Sequence, residues 1–183
     1  MIEVEVKARA PEDIEERIAA LGAIPLAVEN HHDLYFASTQ RDFRRSDEAL
    51  RIRIKEEGAR LTYKGPKLDL TTKSRLEMTV KIDDPRQMEL ILSALGFALS
   101  AQVKKQRKKY AWEGVIIALD RVEGLGGFIE VEAEGPGEYE EQKRRVMSAM
   151  SKLGLHESIR SSYLELLEEK RRNTENKGAG RSS

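Results

Sequence analysis

The sequence predicts an α+β fold: an antiparallel β-barrel or tunnel with a charged interior and helices packed on its outside. Three observations predict it. Several segments alternate apolar and charged residues with period two, which marks strands that bury one face. A strand followed by an amphipathic helix returns three times along the chain. The charged strand faces are also sorted by sign, with acids on the first and late strands and bases on the middle ones.

The first strand is Ile2-Glu3-Val4-Glu5-Val6-Lys7, whose aliphatic residues share one face and whose charges share the other. Pro11 then opens a helical stretch with an apolar stripe at Ile14, Ile18 and Leu21, and Gly22 stands where a glycine stops a helix. The same grammar returns in the strand Leu76 to Lys81, followed by Pro85, the stripe Met88, Ile91, Leu92 and Leu95, and Gly96. A third copy begins at Ile129-Glu130-Val131-Glu132-Ala133-Glu134, continues through Pro136 and ends at Leu153-Gly154. Its helix is longer by about two turns of about 3.6 residues. Between these units lie two hairpins. Leu50 to Lys55 and Arg60 to Lys64 are joined by Glu56-Glu57-Gly58-Ala59, and Lys105 to Trp112 and Val115 to Asp120 turn around Glu113-Gly114. Such short turns pair strands antiparallel. Ser162 to about Arg171 reads as a closing helix with Leu164 and Leu167 inward. The expected organisation is one domain over residues 1–171, with a polar, disordered tail over 172–183.

Composition narrows the function. Lysine plus arginine equals aspartate plus glutamate, 32 each, so no global field recruits nucleic acid or an anionic membrane, and any anion site is local. Cysteine is absent, which removes disulfides, thiolate nucleophiles and cysteine metal sites together. Only three histidines remain, none spaced like a zinc pair, so a metal needs carboxylates. No apolar run approaches the roughly 20 residues of a membrane span, and the N-terminus lacks the apolar run of a signal peptide. The expected location is cytoplasmic.

The sorted faces point to chemistry. Glu3, Glu5, Asp120, Glu130 and Glu132 lie on the first and late strands, and Arg51, Arg53, Lys64, Arg75, Lys105 and Arg107 on the middle ones. Closing the sheet brings the first and late strands together and faces acids toward bases. Carboxylates gathered without cysteine or histidine make a hard oxygen site suited to Mg²⁺ or Mn²⁺. Arginines hold phosphates bidentately, and lysines act as point charges. The combination suits phosphoryl or nucleotidyl transfer, where positioning and charge neutralisation supply most of the rate. The competing reading is a solvated face laced with cross-strand ion pairs, each worth under ~1 kcal/mol. Against it stand the helices, which cover the apolar side, so that an enclosed, sign-sorted cluster needs a ligand to offset its desolvation.

Other features read more plainly. His31 and His32 precede a strand-like run and read as surface or turn residues. Alternation splits the run Lys104 to Lys109 between two faces, which argues against a nucleic-acid patch. Gly124-Leu125-Gly126-Gly127 reads as a tight turn into the Phe128 strand, since no helix follows it directly. Tyr35, Phe36 and Trp112 read as packing residues, with base stacking near a tunnel mouth left open.

Glu3-Val4-Glu5-Val6-Lys7 resembles the ExExK signature of the CYTH superfamily, the triphosphate tunnel enzymes. Asp33-Leu34-Tyr35-Phe36, Arg41-Asp42-Phe43 and Asp47-Glu48-Ala49-Leu50-Arg51-Ile52-Arg53 resemble the subgroup that includes class IV adenylate cyclases. Thr62-Tyr63-Lys64-Gly65-Pro66, Arg75-Leu76-Glu77, Lys105-Gln106-Arg107, the stretch from Leu119 to Glu132, and Ser162-Tyr163-Leu164-Glu165-Leu166-Leu167 continue the likeness. The resemblance implies metal ligands at Glu3, Glu5, Asp120, Glu130 and Glu132, with Glu77 in addition. It implies a triphosphate cradle of Lys7, Arg51, Arg53, Lys64, Arg75, Lys105 and Arg107, with Lys7, Glu5 and Arg53 acting at the reacting phosphorus. Thr79 stands where the family often carries a second glutamate. The implied activity is that of a class IV adenylate cyclase, ATP to cyclic AMP and pyrophosphate, with Mg²⁺ or Mn²⁺. Its rivals are a triphosphatase acting on inorganic triphosphate, thiamine triphosphate or nucleoside triphosphates, and a non-catalytic polyphosphate- or nucleotide-binding module. The resemblance also suggests a homodimer, and neither nucleic acid nor membrane is an expected partner.

Overall fold

The computed structural model describes residues 2–68 and 75–179, with backbone alone at residues 2, 3 and 175–179. Its elements in chain order are β1 (Ile2–Glu3), β2 (Glu5–Arg9), α1 (Ile14–Ala20), β3 (Ile24–Ser38), β4 (Ala49–Lys55), β5 (Gly58–Lys67), β6 (Arg75–Ile82), α2 (Pro85–Ala94), β7 (Phe97–Trp112), β8 (Val115–Val122), β9 (Gly126–Ala133), α3 (Tyr139–Lys152) and α4 (Tyr163–Ala179). The predicted strand-plus-helix unit is present three times, as β2-α1, β6-α2 and β9-α3.

All strands join one antiparallel sheet in the order β1-β6-β5-β4-β3-β7-β8-β9-β2. The two ends of that order are a single run of chain interrupted at Val4. Glu3 pairs with Arg75 of β6, and Glu5 pairs with Glu132 of β9. Residues 2–9 therefore splice both sheet edges and curl the sheet into a barrel. Closure removes the open edges that an isolated sheet would expose.

Both predicted hairpins are present, with Lys55 opposite Gly58 and Trp112 opposite Val115. Glu113 (φ 41°) and Gly114 (φ 75°) both take the left-handed conformation, as a two-residue turn matched to strand twist requires. β3 and β7 are far longer than the sequence periodicity indicates. The first part of β3 pairs only with β7, and its Ile24, Leu26 and Val28 lie exposed, so no buried face imposes alternation there.

The helices start and stop for local reasons. Asp84 caps α2 by accepting from the Gln87 amide at 3.0 Å, with Pro85 in the first turn, and Gly96 (φ 86°) lets the chain leave it. α1 begins at Ile14 rather than at Pro11, because Pro11 supplies a carbonyl that accepts from the Ile14 amide. α4 continues past the predicted end near Arg171 as far as Ala179, so most of the expected disordered tail is helical. Residues 171–174 are exposed, and the sequence that follows them is polar, a composition that suits a helix as well as a coil. Residues 180–183 lie outside the described residues.

The apolar strand faces pack outward under the helices. Val4, Val6 and Ala8 join Ile117, Ile129 and Val131 beneath Ile14 and Ile18 of α1 and Val146, Ala149 and Met150 of α3. Leu34, Phe36, Leu50 and Ile52 pack with Leu92 of α2. The third cluster is inside the barrel, where Tyr35, Val103, Val122 and Phe128 receive Tyr163 at the start of α4. Outside β6 and the first part of β3, where Leu76, Met78 and Val80 and Ile24, Leu26 and Val28 lie exposed, the apolar sides are covered and the strands turn their charged sides inward.

Candidate active site

Alternation delivers one inward residue in two from each strand, and the inward set encloses a cavity of about 280 Å³. Arg51 and Arg53 enter it from β4, Lys64 from β5, Arg75 from β6, and Lys105 and Arg107 from β7. Glu5 of β2 and Glu130 of β9 line it from the adjoining wall, and Tyr163 and Leu164 of α4 cover one end. The predicted run Lys104 to Lys109 does divide between faces: Lys105 and Arg107 are buried, whereas Lys104 is exposed.

Two buried carboxylates hold the bases in place. Asp33 (1% exposed) accepts from Arg53 through both Nε and Nη2 at 2.7 Å, and Arg51 reaches it at 3.5 Å. Asp120 is fully buried. Its Oδ1 accepts from Arg107 Nε at 2.6 Å, and its Oδ2 from Lys105 at 2.7 Å, Arg107 Nη2 at 2.6 Å and the Tyr163 hydroxyl at 2.8 Å. Those four donors match the roughly four lone-pair positions of a carboxylate, so in this arrangement Asp120 orients bases. Burial pushes both carboxyls up, but Arg51 and Arg53 beside Asp33, and Lys105 and Arg107 beside Asp120, outweigh it and keep both ionised. Burial and the neighbouring Arg107 push Lys105 down to about 8.

Lys7 is the most enclosed base. It is fully buried, donates to the Ser161 carbonyl, and has its ammonium 4.2 Å from the centroid of the Tyr163 ring. It therefore lies beneath the start of α4, beside the cavity. Lys64 pairs with Glu77, and Arg107 also reaches Glu130. Asp47, in the left-handed region at φ 54°, accepts from the Lys67 amide and ammonium and steadies Arg75 through its carbonyl.

The acid wall is suited to a hard cation. Glu5 sits directly opposite Glu132 on the neighbouring strand, and Glu130 shares the face of Glu132. Like charges opposed across a sheet are unfavourable unless something cationic lies near them. Among the described residues no three carboxylates or imidazoles converge as a preformed metal cluster. Mg²⁺ tolerates this, since it takes one or two carboxylates and completes its octahedron with phosphate oxygens and water. Carboxylate oxygens such as these are the donor type that Mg²⁺ and Mn²⁺ take. The side chain of Glu3 lies outside the described residues, although its backbone pairs on β1.

Sequence reasoning missed several residues of this site. His31 is not at the surface: it is 3% exposed and faces the barrel interior from β3, while His32 points outward to Gln102. Glu29, His31, Asp33 and Tyr35 share the inner face of β3 at intervals of two, a pattern the polar run Glu29 to His32 conceals from an apolar-periodicity reading. Tyr35 does line the cavity, whereas Phe36 belongs to the outer core and Trp112 donates to the Leu21 carbonyl.

Comparison with known proteins places the architecture. The family model of the CYTH domain matches residues 1–163. A Methanocaldococcus jannaschii protein named as a candidate adenylate cyclase is 38% identical over 172 residues, covering 91% of this chain and 98% of that one. The structure of the PH1819 protein of Pyrococcus horikoshii OT3 superposes with a TM-score of 0.85 at 43% identity, covering 92% of this chain and 99% of its own. A Hippeastrum structure superposes with a TM-score of 0.70 at 24% identity, covering 92% and 95%. That protein is named a candidate adenylyl cyclase with a dominant triphosphatase activity.

Proposed function

Since the chain belongs to the CYTH domain family, we propose that it processes a triphosphate in the barrel cavity, in the manner of a class IV adenylate cyclase. The observation that carries this reading is the convergence of Arg51, Arg53, Lys64, Arg75, Lys105 and Arg107 on one enclosed volume that Glu5 and Glu130 also line. With Arg44 and Arg172 the lining carries eight bases against six acids, Glu5, Asp47, Glu48, Glu130, Glu165 and Glu168, and a polyanion offsets the cost of gathering the bases away from water.

In this reading the arginines grip phosphate oxygens bidentately, prealigned by Asp33 and Asp120. The lysines neutralise charge along the chain of phosphates. The ribose 3′-hydroxyl of ATP attacks the α-phosphorus and gives up its proton to water, the bond to the bridging oxygen breaks, and pyrophosphate leaves into the cradle. Arg53, Lys105 and Arg107 stabilise the charge that develops on it. Glu5 and Glu130, with Glu132 beside them, would hold Mg²⁺ or Mn²⁺, which supplies charge neutralisation at the phosphates. Lys7, under α4, contributes its field from below the cavity floor.

A second reading is a triphosphatase, in which water attacks the terminal phosphorus. The size of the cavity favours it: about 280 Å³ lies at the lower limit of ligand pockets, roughly 300 to 1,000 Å³, and suits a phosphate chain better than a whole nucleotide. The Hippeastrum protein of similar fold, named for a dominant triphosphatase activity, is in keeping with this reading. Product analysis separates them. With ATP or tripolyphosphate and Mg²⁺ or Mn²⁺, cyclic AMP and pyrophosphate support the first reading and orthophosphate the second. Tight binding without product leaves a non-catalytic binding module. Metal-dependent turnover that survives both Glu5→Gln and Glu130→Gln sinks the assignment of the acid wall.

A further inference from the structure

We propose that Tyr163 is a positioning residue for the phosphate cradle: by sharing Oδ2 of Asp120 with Lys105, its hydroxyl lets the Lys105 ammonium leave that carboxylate for a bound phosphate. The inference rests on the cavity being a phosphate site and adds a residue of α4 to its working parts.

The backbone fixes where the hydroxyl stands. Ser162 Oγ accepts from the Glu165 amide at 3.1 Å and the Glu165 carboxylate accepts from the Ser162 amide, so α4 opens on a capping box. The chain just before it is tied to β2. There the Ile159 amide donates to the Lys7 carbonyl at 2.7 Å, and the Lys7 ammonium donates to the Ser161 carbonyl. The Tyr163 ring meets Phe128 edge to face, with centroids 5.0 Å apart. These contacts hold a side chain that is 6% exposed in the cavity wall, and its hydroxyl donates to Oδ2 of Asp120 at 2.8 Å.

The donors around Asp120 are unevenly shared. Oδ1 accepts from Arg107 Nε alone, whereas Oδ2 accepts from Lys105, Arg107 Nη2 and Tyr163. A carboxylate oxygen offers about two lone pairs, so the third donor on Oδ2 is weakly held. Arg107 is secured by its second bond to Oδ1, and Tyr163 by the start of α4. Lys105 has no such support: among the described residues its ammonium makes no other hydrogen bond, and it ends a flexible four-carbon stem. It is therefore the donor that gives way, and like Tyr163 it lines the cavity.

The hydroxyl also lowers the cost of that move. A buried acceptor stripped of a donor is penalised. When Lys105 turns toward a phosphate, Asp120 keeps both bonds from Arg107 and the one from Tyr163. Without the hydroxyl, Oδ2 is no longer crowded and Lys105 is held on it. The ring assists separately, since its centroid lies 4.8 Å from Lys105 Nζ and its face attracts the ammonium.

Calorimetry with tripolyphosphate in EDTA measures binding without metal or turnover. Tyr163→Phe keeps the ring and removes only the hydroxyl, and it should bind about three- to tenfold more weakly, the worth of one hydrogen bond. In Lys105→Met, where no ammonium has to leave Asp120, adding Tyr163→Phe should make no further difference. A hydroxyl that merely supports the fold, or that touches the ligand itself, would cost the same in both backgrounds. An equal loss in both, or no loss from Tyr163→Phe alone, overturns this inference and leaves the phosphate site standing. A natural protein that does not bind tripolyphosphate overturns both. If Lys105→Met fails to fold, the ¹³Cε signal of Lys105, assigned with Lys105→Arg, decides the matter. It should move on saturation in the natural protein and move less in Tyr163→Phe; equal movement in the two overturns the inference.

Discussion

The inner and outer faces of β7 carry the same kinds of residue in two different situations. Inside, Lys105 and Arg107 are buried, share Asp120 and line the cavity. Outside, Lys108 meets Glu15 of α1 at 2.9 Å, with both side chains substantially exposed. A list of ion pairs by distance ranks the two alike. Burial separates them, because an exposed pair trades one hydrated state for another, whereas an enclosed pair has given up water and depends on its partner. The enclosed charges of this barrel are thus told from the solvated ones by where the strand pleat sends them.

That difference can be broken or sharpened by substitution. The largest effect is expected for Asp120→Ala, which leaves Lys105 and Arg107 enclosed without their shared carboxylate. A loss of about 3 to 5 kcal/mol in denaturant unfolding is the expected result, and a loss no larger than that of an exposed pair would contradict the account. Next, Arg53→Ala should weaken tripolyphosphate binding by roughly 1.5 to 3 kcal/mol, in line with a charged hydrogen bond. Lys104→Ala, one residue from Lys105 on the outer face, should leave the calorimetric affinity unchanged. Acid titration probes the interior in a third way. Burial and then Arg53 press His31 down to about 3, from an ordinary imidazole value of 6.5. Its contribution to stability is therefore complete above about pH 6.5 and is lost as pH falls toward 3. Urea midpoints measured across that window should fall less steeply in His31→Gln than in the natural protein. The smallest effect belongs to Glu15→Ala, which removes the outer partner of Lys108. It should cost less than ~1 kcal/mol and leave binding untouched.

Much of this was legible in the residues. Period-two alternation in Leu50 to Lys55 and Lys105 to Trp112 assigned inner and outer faces correctly, and sign sorting anticipated that the first and late strands would meet, as Glu5 and Glu132 do. What stayed hidden depends on tertiary placement. His31 reads as a surface residue because Glu29-Asn30-His31-His32 is polar on both faces, and only the length of β3 reveals which side turns inward. Asp33 and Asp120 act on their neighbours through both carboxylate oxygens, a geometry that spacing does not encode. Lys7 aligned with the other bases by alternation, but packing of Tyr163 and the Ser161 carbonyl set it under α4. The extension of α4 to Ala179 escaped because a solvated polar helix and a coil share a composition.

The splice formed by residues 2–9 has a temporal consequence. On the ribosome Glu5 to Arg9 is made well before its partner stretch Phe128 to Glu132 and must wait for it. At roughly 5 to 20 residues per second the delay is on the order of ten seconds. Until then Val4 and Val6 have no mate, and the emerging sheet keeps a raw margin open to other chains or to a chaperone. The cavity consequently cannot close before β9 is made, and nascent chains halted before β9 should neither retain tripolyphosphate nor resist protease within β2.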